Sequence, residues 1–121
     1  MAQAAGKVID RASGAVATVI DRGHLAGMTL GDRDLEREVL QLFDRQADLL
    51  LTRMRSGVPQ AVAALAHTLR GSAASIGANK VASAAEAIEQ AAGAAERITA
   101  MQALARTIDE ARAEIAVLLR D

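Results

Sequence analysis

The sequence predicts an all-α fold, an antiparallel up-down four-helix bundle with an additional N-terminal helix. Alanine, the strongest helix former, supplies 29 of the 62 apolar residues in this chain of 121 residues. Residues that favour sheets are scarce, since the chain contains one Phe and neither Trp nor Tyr. Glycine, proline and asparagine divide the chain into segments whose apolar residues recur every three or four positions. The length favours a single globular domain.

The first predicted helix covers residues 7–21, and the internal Gly14 weakens it. The three glycines of residues 22–31 indicate a broken connection with a single helical turn. We therefore expect residues 1–20 to form an N-terminal helical extension and residues 21–121 to form the bundle domain. The apolar residues that recur at helical spacing in the first helix are Val8, Ile9, Ala12, Val16, Val19 and Ile20.

The second predicted helix begins at a capping signal and ends at Gly57. Thr29 and Asp32 have the three-residue spacing of a capping box, with Asp in place of the usual Glu. Phe43, the lone aromatic residue, is expected in the core. The apolar stripe predicted to face the core comprises Leu35, Val39, Leu42, Phe43, Leu49, Leu50 and Met54.

The third predicted helix covers residues 59–76, with Pro59 in its first turn and Gly77 at its end. His67 lies about 150° from the middle of this helix's apolar stripe on a helical wheel. The imidazole is therefore expected to point away from the core. The large apolar residues that define the stripe are Val62, Leu65, Leu69 and Ile76.

Two more helices complete the predicted bundle. Asn79 is expected to cap a helix over residues 80–92, which Gly93 ends, and a last helix spans residues 96–119. Short connections between long helices favour antiparallel neighbours. The apolar stripe of the last helix comprises Ile98, Met101, Leu104, Ala105, Ile108, Ala111, Ile115 and Leu118.

Composition argues against several classes of function. The 14 basic and 15 acidic residues give a net charge of −1, so no basic excess is available to bind nucleic acid. The absence of cysteine excludes disulfides, thiolate metal sites and thiol nucleophiles, and two histidines without patterned carboxylates predict no metal site. No apolar run approaches the ~18 residues that span a bilayer, and the N-terminus lacks the apolar core of a signal peptide. We expect a cytoplasmic protein.

The residues around His67 are unusually small. Glycine costs a helix about 1 kcal/mol relative to alanine, and Gly71 shares a face with His67 because it lies four positions later. Its missing side chain would open the approach to the imidazole. Arg70 can reach an anion held on the ring, and Ser72 adds a hydroxyl group nearby. The remaining small residues on this face are Ala63, Ala64 and Ala74, which we expect at a partner-binding surface.

The segment HTLRGSAASIGA, residues 67–78, resembles the active-site helix of histidine-containing phosphotransfer (HPt) domains. The family pattern is a histidine, a basic residue three positions later, a glycine, a small or hydroxyl residue, and a second glycine ten positions after the histidine. Every position is matched, although Arg70 stands where lysine is commoner. Residues 30–43 are similar to the second helix of the family and residues 85–89 to the fourth, so the resemblance covers residues 21–118.

The resemblance implies that His67 accepts a phosphoryl group from a receiver-domain aspartate and passes it to another. Neutral imidazole is a suitable nucleophile near pH 7, and the attacking atom is expected to be Nε2. Arg70 would help neutralise the phosphoryl oxygens, and Gly71 would leave room for partner loops. Glu89 matches the family position that orients the other ring nitrogen, with Gln90 as a second choice; Glu89 could instead be an ordinary solvated helix residue.

The same resemblance implies the partners, which are response-regulator receiver domains and a hybrid sensor kinase. The receiver would bring Mg²⁺, and we expect no cofactor bound by this chain. No glycine-rich nucleotide loop and no receiver-like acidic cluster occur in the sequence. The chain is therefore expected to be a phosphotransfer intermediate without kinase activity of its own.

Two other interpretations remain open. The bundle could be a non-catalytic adaptor that binds signalling partners, or a degenerate HPt domain that docks to receivers without phosphotransfer; the intact His67 argues against the second. His24 is not followed by a basic residue and a glycine at the positions that Arg70 and Gly71 occupy after His67. It is therefore expected to be a surface or packing residue. Arg45 and Gln46 interrupt the second helix's stripe, so they are either ordinary surface residues or part of the docking face.

Overall fold

A computed structural model of the chain describes residues 19–120. The predicted all-α class is confirmed over this range, which contains five helices and no strand. Most of the helix predicted for residues 7–21 lies outside the described residues. The five helices are α1 (Arg22–Met28), α2 (Arg33–Ser56), α3 (Pro59–Ser75), α4 (Asn79–Glu89) and α5 (Ala94–Arg120).

The four long helices pack in a closed ring. Helix α3 packs against α2 and α4, and α5 packs against the same two helices. Fully buried alanines allow their backbones to approach closely. The predicted core position of Phe43 is confirmed, since this residue is 2% exposed. The buried alanines on the four helices are Ala47, Ala66, Ala73, Ala85 and Ala111.

The predicted core face of α2 is partly wrong. Leu35, Leu42 and Leu49 are 41%, 56% and 48% exposed, respectively. Helix α2 carries two apolar rows, and the contacts with α3 and α5 cover only one of them. Ile98, predicted in the stripe of α5, is also exposed. The apolar side chains that α2 does bury are Leu40, Phe43, Ala47, Leu50, Leu51 and Met54.

Two predicted helix caps are corrected by the structure. Asp32 is the N-cap of α2, and its Oδ1 accepts a hydrogen bond from the Leu35 amide at 3.0 Å. Thr29 instead ends α1, and its buried hydroxyl donates to the Leu25 carbonyl at 2.9 Å. Positive φ angles at the next two residues turn the chain, so Thr29 cannot also cap α2. Asn79 is the first residue of α4 and makes no cap hydrogen bond.

Two hydrogen bonds from backbone amides attach residues 19–21 to the bundle. The Val19 amide donates to Glu114 Oε1 at 3.2 Å, and the Asp21 amide donates to the Gly77 carbonyl at 2.8 Å. Gly77 has φ +83°, and a Cβ on it would lie 2.7 Å from the Asp21 carbonyl oxygen. The glycine is therefore required by both backbone conformation and close approach.

Helix α5 is joined to α2 by a pair of ionic contacts. Arg112 Nε donates to Asp44 Oδ1 at 2.8 Å, and its Nη1 donates to Asp48 Oδ1 at 3.2 Å. The hydrogen bond to Asp44 raises the pKa of the Arg112 guanidinium above its ordinary value. The contact links two helices whose apolar faces already pack together. Across residues 19–120, no helix has the length and apolar character needed to cross a membrane.

Candidate functional site

His67 lies on the face of α3 opposite the core. The side chain is 65% exposed, so the predicted outward orientation of the imidazole is confirmed. The helix maintains this orientation because its buried residues fall on the other side at three- and four-residue spacing. Those buried residues are Val62, Ala66, Leu69 and Ala73.

Glu89, at the end of α4, contacts the imidazole. Its Oε2 lies 2.8 Å from His67 Nδ1, and its side chain is 20% exposed. The packing of α4 against α3 therefore brings together two residues that are distant in sequence. Gln90, the second choice for this position, instead donates its amide to Glu86 Oε2 at 3.3 Å. The structure thus brings Glu89, rather than its neighbour, to the ring.

Arg70 lies between His67 and the carboxylates of α4. Its Nη2 is 3.1 Å from His67 Nδ1 and its Nε is 3.2 Å from Glu89 Oε1. A more distant ion pair joins its Nη1 to Glu86 Oε2 at 3.8 Å. Two carboxylates thus hold the guanidinium beside the imidazole ring.

The contacts at His67 Nδ1 select one form of the neutral ring. A single ring nitrogen cannot donate to Glu89 and accept from Arg70 at once. The shorter contact and the negative charge of the carboxylate favour an Nδ1–H that donates to Glu89. The ion pair with Glu89 then accounts for the nearby position of Arg70. In this assignment Nε2 carries the free lone pair.

The second oxygen of Glu89 is less well satisfied. Oε1 is buried and has no hydrogen-bond donor among the described residues. Arg70 Nε lies within ion-pair distance at 3.2 Å, but this contact lacks the alignment of a hydrogen bond. Electrostatic attraction to the Glu89 carboxylate, rather than a well-aligned hydrogen bond, therefore keeps the Arg70 guanidinium in this position. Such a contact permits it to move without breaking a well-aligned hydrogen bond.

Gly71 leaves open space next to the imidazole. A Cβ added at this position would meet no neighbouring atom within 4 Å. Close packing within the described chain therefore does not require this glycine. Ala63, Ala64 and Ala74 are exposed on the same helix. The side chains around His67 are therefore short and do not project beyond the imidazole.

Ser72 lies on the flank of α3 that faces α2. It lines a groove of about 140 Å³ and makes no hydrogen bond to the imidazole in the part of the chain described. Sequence reasoning missed the exposed apolar side chains of Met28 and Leu42 in this groove. The seven-residue spacing of Leu35, Leu42 and Leu49 places these leucines in one row on α2, but the spacing alone does not show whether that row is buried or exposed. Gln46 lines the same groove, whereas Arg45 is exposed and outside its lining.

His24 lies apart from this cluster. Its Nε2 is 3.1 Å from the Ser75 carbonyl oxygen, so the side chain links α1 to the end of α3. This contact agrees with the expected packing or surface role. Within residues 19–120, no group of three or more His, Cys, Asp or Glu side chains is arranged to hold a metal ion.

Comparison with protein families adds an independent finding. A model of the Hpt domain family matches residues 34–120, well over half of the chain. The matched range contains His67, Arg70, Gly71 and Glu89. Comparison with curated protein sequences gave no significant match, and neither did comparison with solved structures.

Proposed function

Because the chain belongs to the Hpt domain family, we propose that it relays a phosphoryl group between receiver-domain aspartates through His67. The observation that carries the proposal is the exposed imidazole whose Nδ1 lies 2.8 Å from Glu89 Oε2. Hpt domains act in histidine phosphotransfer together with receiver domains. This chain supplies an accessible nucleophile with one nitrogen engaged and the other free.

The proposed reaction is attack by His67 Nε2 on the phosphorus of an aspartyl phosphate. A bond forms between Nε2 and phosphorus while the bond from phosphorus to the aspartate oxygen breaks, and the aspartate leaves as a carboxylate. The ring keeps its Nδ1 proton and becomes cationic. Glu89 stabilises this cation through its hydrogen bond with Nδ1. Transfer to a second receiver reverses these steps.

Arg70 is proposed to balance charge on the transferred group. Its guanidinium lies on the Nδ1 side of the ring, where it is held by Glu86 and Glu89. To reach oxygens bound at Nε2, the side chain must rotate away from these carboxylates. The long, flexible stem of arginine and the loosely aligned contact with Glu89 allow that rotation. Mg²⁺ is proposed to reside in the receiver, next to the aspartate, and not in this chain.

The docking surface is proposed to include both flanks of His67. The short side chains of Ala63, Ala64 and Ala74 on α3 would allow loops of the partner to approach His67. The exposed apolar side chains of Met28 and Leu42 add a hydrophobic flank across the groove between α2 and α3. A small exposed apolar patch at this groove suits a transient partner that must bind and leave quickly.

Several finer features belong to the same proposal. We propose that the four long helices alternate up and down in the manner of the family. Residues 21–121 would form the relay domain, with residues 1–20 as an extension. A relay that exchanges phosphoryl groups with receivers and a hybrid sensor kinase would work in the cytoplasm, where receiver domains act.

The experiment that tests the proposal is a transfer assay with a phosphorylated receiver and Mg²⁺. We expect phosphate on the chain that is labile in acid and stable in base, as a phosphoramidate is. His67→Gln should abolish this label, and His24→Gln, a change of the same kind outside the site, should retain it. Label on His67→Gln would refute the assignment. Binding of receivers without label on the unaltered chain would favour the adaptor interpretation.

A further inference from the structure

We infer that the groove where α2 ends and where α3 and α5 begin binds a small amphipathic anion, an apolar chain that carries one terminal carboxylate. The groove has a volume of about 450 Å³, which is within the range of small-molecule sites. Its lining residues come from the last turn of α2, from the beginnings of α3 and α5, and from Gly57 between α2 and α3. We call it the basal groove.

The walls of the basal groove are mainly apolar. Met54 and Val62 belong to the buried core, and they line the groove from α2 and α3. Met101 on α5 is partly buried, and Ile98 on the same helix is 60% exposed. Methionine side chains are unbranched and flexible, so they adapt to the shape of an apolar group. A bound apolar chain would therefore contact the edge of the core and cover Ile98.

Two arginines line the same groove without a carboxylate partner. Neither Arg55 nor Arg97 forms an ion pair or a side-chain hydrogen bond with any residue in the range 19–120. Arg97 is half-buried, which makes an unpaired charge there more costly than at a fully exposed position. Glu96 faces the other groove, between α4 and α5, where its Oε1 accepts a hydrogen bond from the Ala92 amide. The basal groove thus has positive charge available to an anion.

The helix ends at the basal groove add to this charge. Helix α3 begins at Pro59 and α5 begins at Ala94, and both residues line the groove. Val58, the N-cap of α3, makes no side-chain cap hydrogen bond, so the first turn of α3 lacks a side-chain acceptor. The N-terminal end of a helix favours negative charge. The C-terminal end of α2 has the opposite polarity, and one such end does not offset two.

The size of the basal groove favours a small molecule over a protein partner. Ten residues line it, whereas a standard protein interface takes about 20–30 residues from each side. Arginine binds a carboxylate through two parallel hydrogen bonds. An uncharged chain would leave both guanidinium groups unpaired, and a carboxylate without a chain would leave Ile98 exposed. A molecule that combines the two satisfies both parts of the groove.

Ligand binding here would leave the histidine accessible. Val62 faces the core and the basal groove, whereas His67 lies about 140° away around α3 and points into solvent. The inference does not rest on the proposed function. His67→Gln should therefore bind the same ligand as the unaltered chain.

Methyl NMR of the full chain labelled with ¹³C at its methionine methyl groups tests the inference, with octanoate as the probe. The signals of Met54 and Met101 should shift and reach saturation as octanoate is added. The signal of Met28, in the groove between α2 and α3, should stay in place. Octanol has the same chain without the charge and should bind about tenfold more weakly. Acetate, which lacks the chain, should cause no shift at the same concentration.

A matched pair of double variants tests the role of the charges. Arg55→Gln with Arg97→Gln should weaken octanoate binding by about tenfold and leave octanol binding unchanged. Arg53→Gln with Arg106→Gln alters two exposed arginines outside the groove and should retain the affinity. Methionine signals that match those of the unaltered chain before ligand is added would show that each variant is folded.

Four results would overturn the inference. The first is that octanoate leaves the signals of Met54 and Met101 unchanged. The second is that octanol binds as tightly as octanoate, and the third is that the variant without Arg55 and Arg97 keeps full affinity. The fourth is an equal shift of the Met28 signal, since octanoate would then associate with any apolar groove of the chain.

Discussion

Nδ1 of His67 and Oε2 of Glu89 lie 2.8 Å apart across the contact between α3 and α4. The two side chains differ in exposure, since the histidine is 65% exposed and the glutamate 20%. A partly buried carboxylate thus holds one edge of a ring whose other edge faces solvent. This arrangement orients the imidazole without hiding the nitrogen that is proposed to react.

Replacing Glu89 should slow phosphotransfer without unfolding the bundle. In Glu89→Gln the side chain keeps its shape but loses the charge that stabilises a cationic ring. We expect transfer from a phosphorylated receiver to fall by about tenfold, the scale on which orienting partners of histidine act elsewhere. Nitrogen NMR shifts of the imidazole should show loss of the single Nδ1–H form. Gln90→Ala, which changes the adjacent residue, should leave both readouts near those of the unaltered chain.

Removing the Arg70 guanidinium should impair transfer through charge. Arg70→Ala is expected to lower the transfer rate by about tenfold or more, and Arg70→Lys should recover most of it because the positive charge remains. Arg106→Ala removes an exposed arginine from α5 and serves as the control. Equal rates for Arg70→Ala and the control would contradict the assigned role.

Substitutions at Gly71 should separate stability from function. No neighbouring atom lies within 4 Å of an added Cβ, and alanine is favoured over glycine in helices by about 1 kcal/mol. Gly71→Ala should therefore raise the free energy of unfolding measured in urea. Gly71→Leu should fold as well but weaken receiver binding, because its side chain occupies the surface beside His67. Undiminished transfer by Gly71→Leu would show that a partner does not approach over this position.

Gly77→Ala should have the opposite effect on stability. The residue has φ +83°, and its Cβ would lie 2.7 Å from the Asp21 carbonyl oxygen. The left-handed conformation alone costs an alanine roughly 1–2 kcal/mol, and the close contact adds to that cost. We expect a loss of about 2 kcal/mol or more in urea unfolding. Gly93→Ala, which meets no neighbouring atom, is the matched control.

The exposed leucine at the groove should affect partner binding more than folding. Leu42 is 56% exposed, so Leu42→Asp removes little from the core. If receivers dock over the groove, their dissociation constant should rise by about tenfold, as for a central apolar contact. Val117→Asp alters a 48% exposed residue on α5 and should bind normally. Titrations that give the same affinity for both variants would exclude Leu42 from the docking surface.

The sequence was sufficient to predict the outward position of His67. Helix α3 is bounded by Pro59 and Gly77, and within a continuous helix the angle between residues depends only on their spacing. The direction of the imidazole therefore needs no knowledge of the neighbouring helices. Its contact with Glu89 does need that knowledge, because it depends on how α3 and α4 pack. For this pair the family resemblance, and not the periodicity, supplied the expectation.

The exposed face of α2 could not be predicted in the same way. Its two apolar rows both satisfy the spacing of three and four residues, and only packing against α3 and α5 selects one. The cap of α2 was ambiguous for a similar reason. Thr29 and Asp32 are both good capping residues, and the turn at Leu30 and Gly31, where φ is positive, leaves Asp32 in position.

The charges around His67 bear on how long a phosphoryl group would stay there. Glu86 and Glu89 outnumber the single guanidinium of Arg70, so the immediate surroundings are already negative before any phosphate arrives. A phosphoryl group brings about two further negative charges to this place, and the cationic ring that forms with it offsets only one of them. Glu89 stabilises that ring, but the net negative charge of the site would still favour departure of the phosphoryl group to the next acceptor. Such a site is suited to fast turnover of the phosphorylated form and poorly suited to storing a signal.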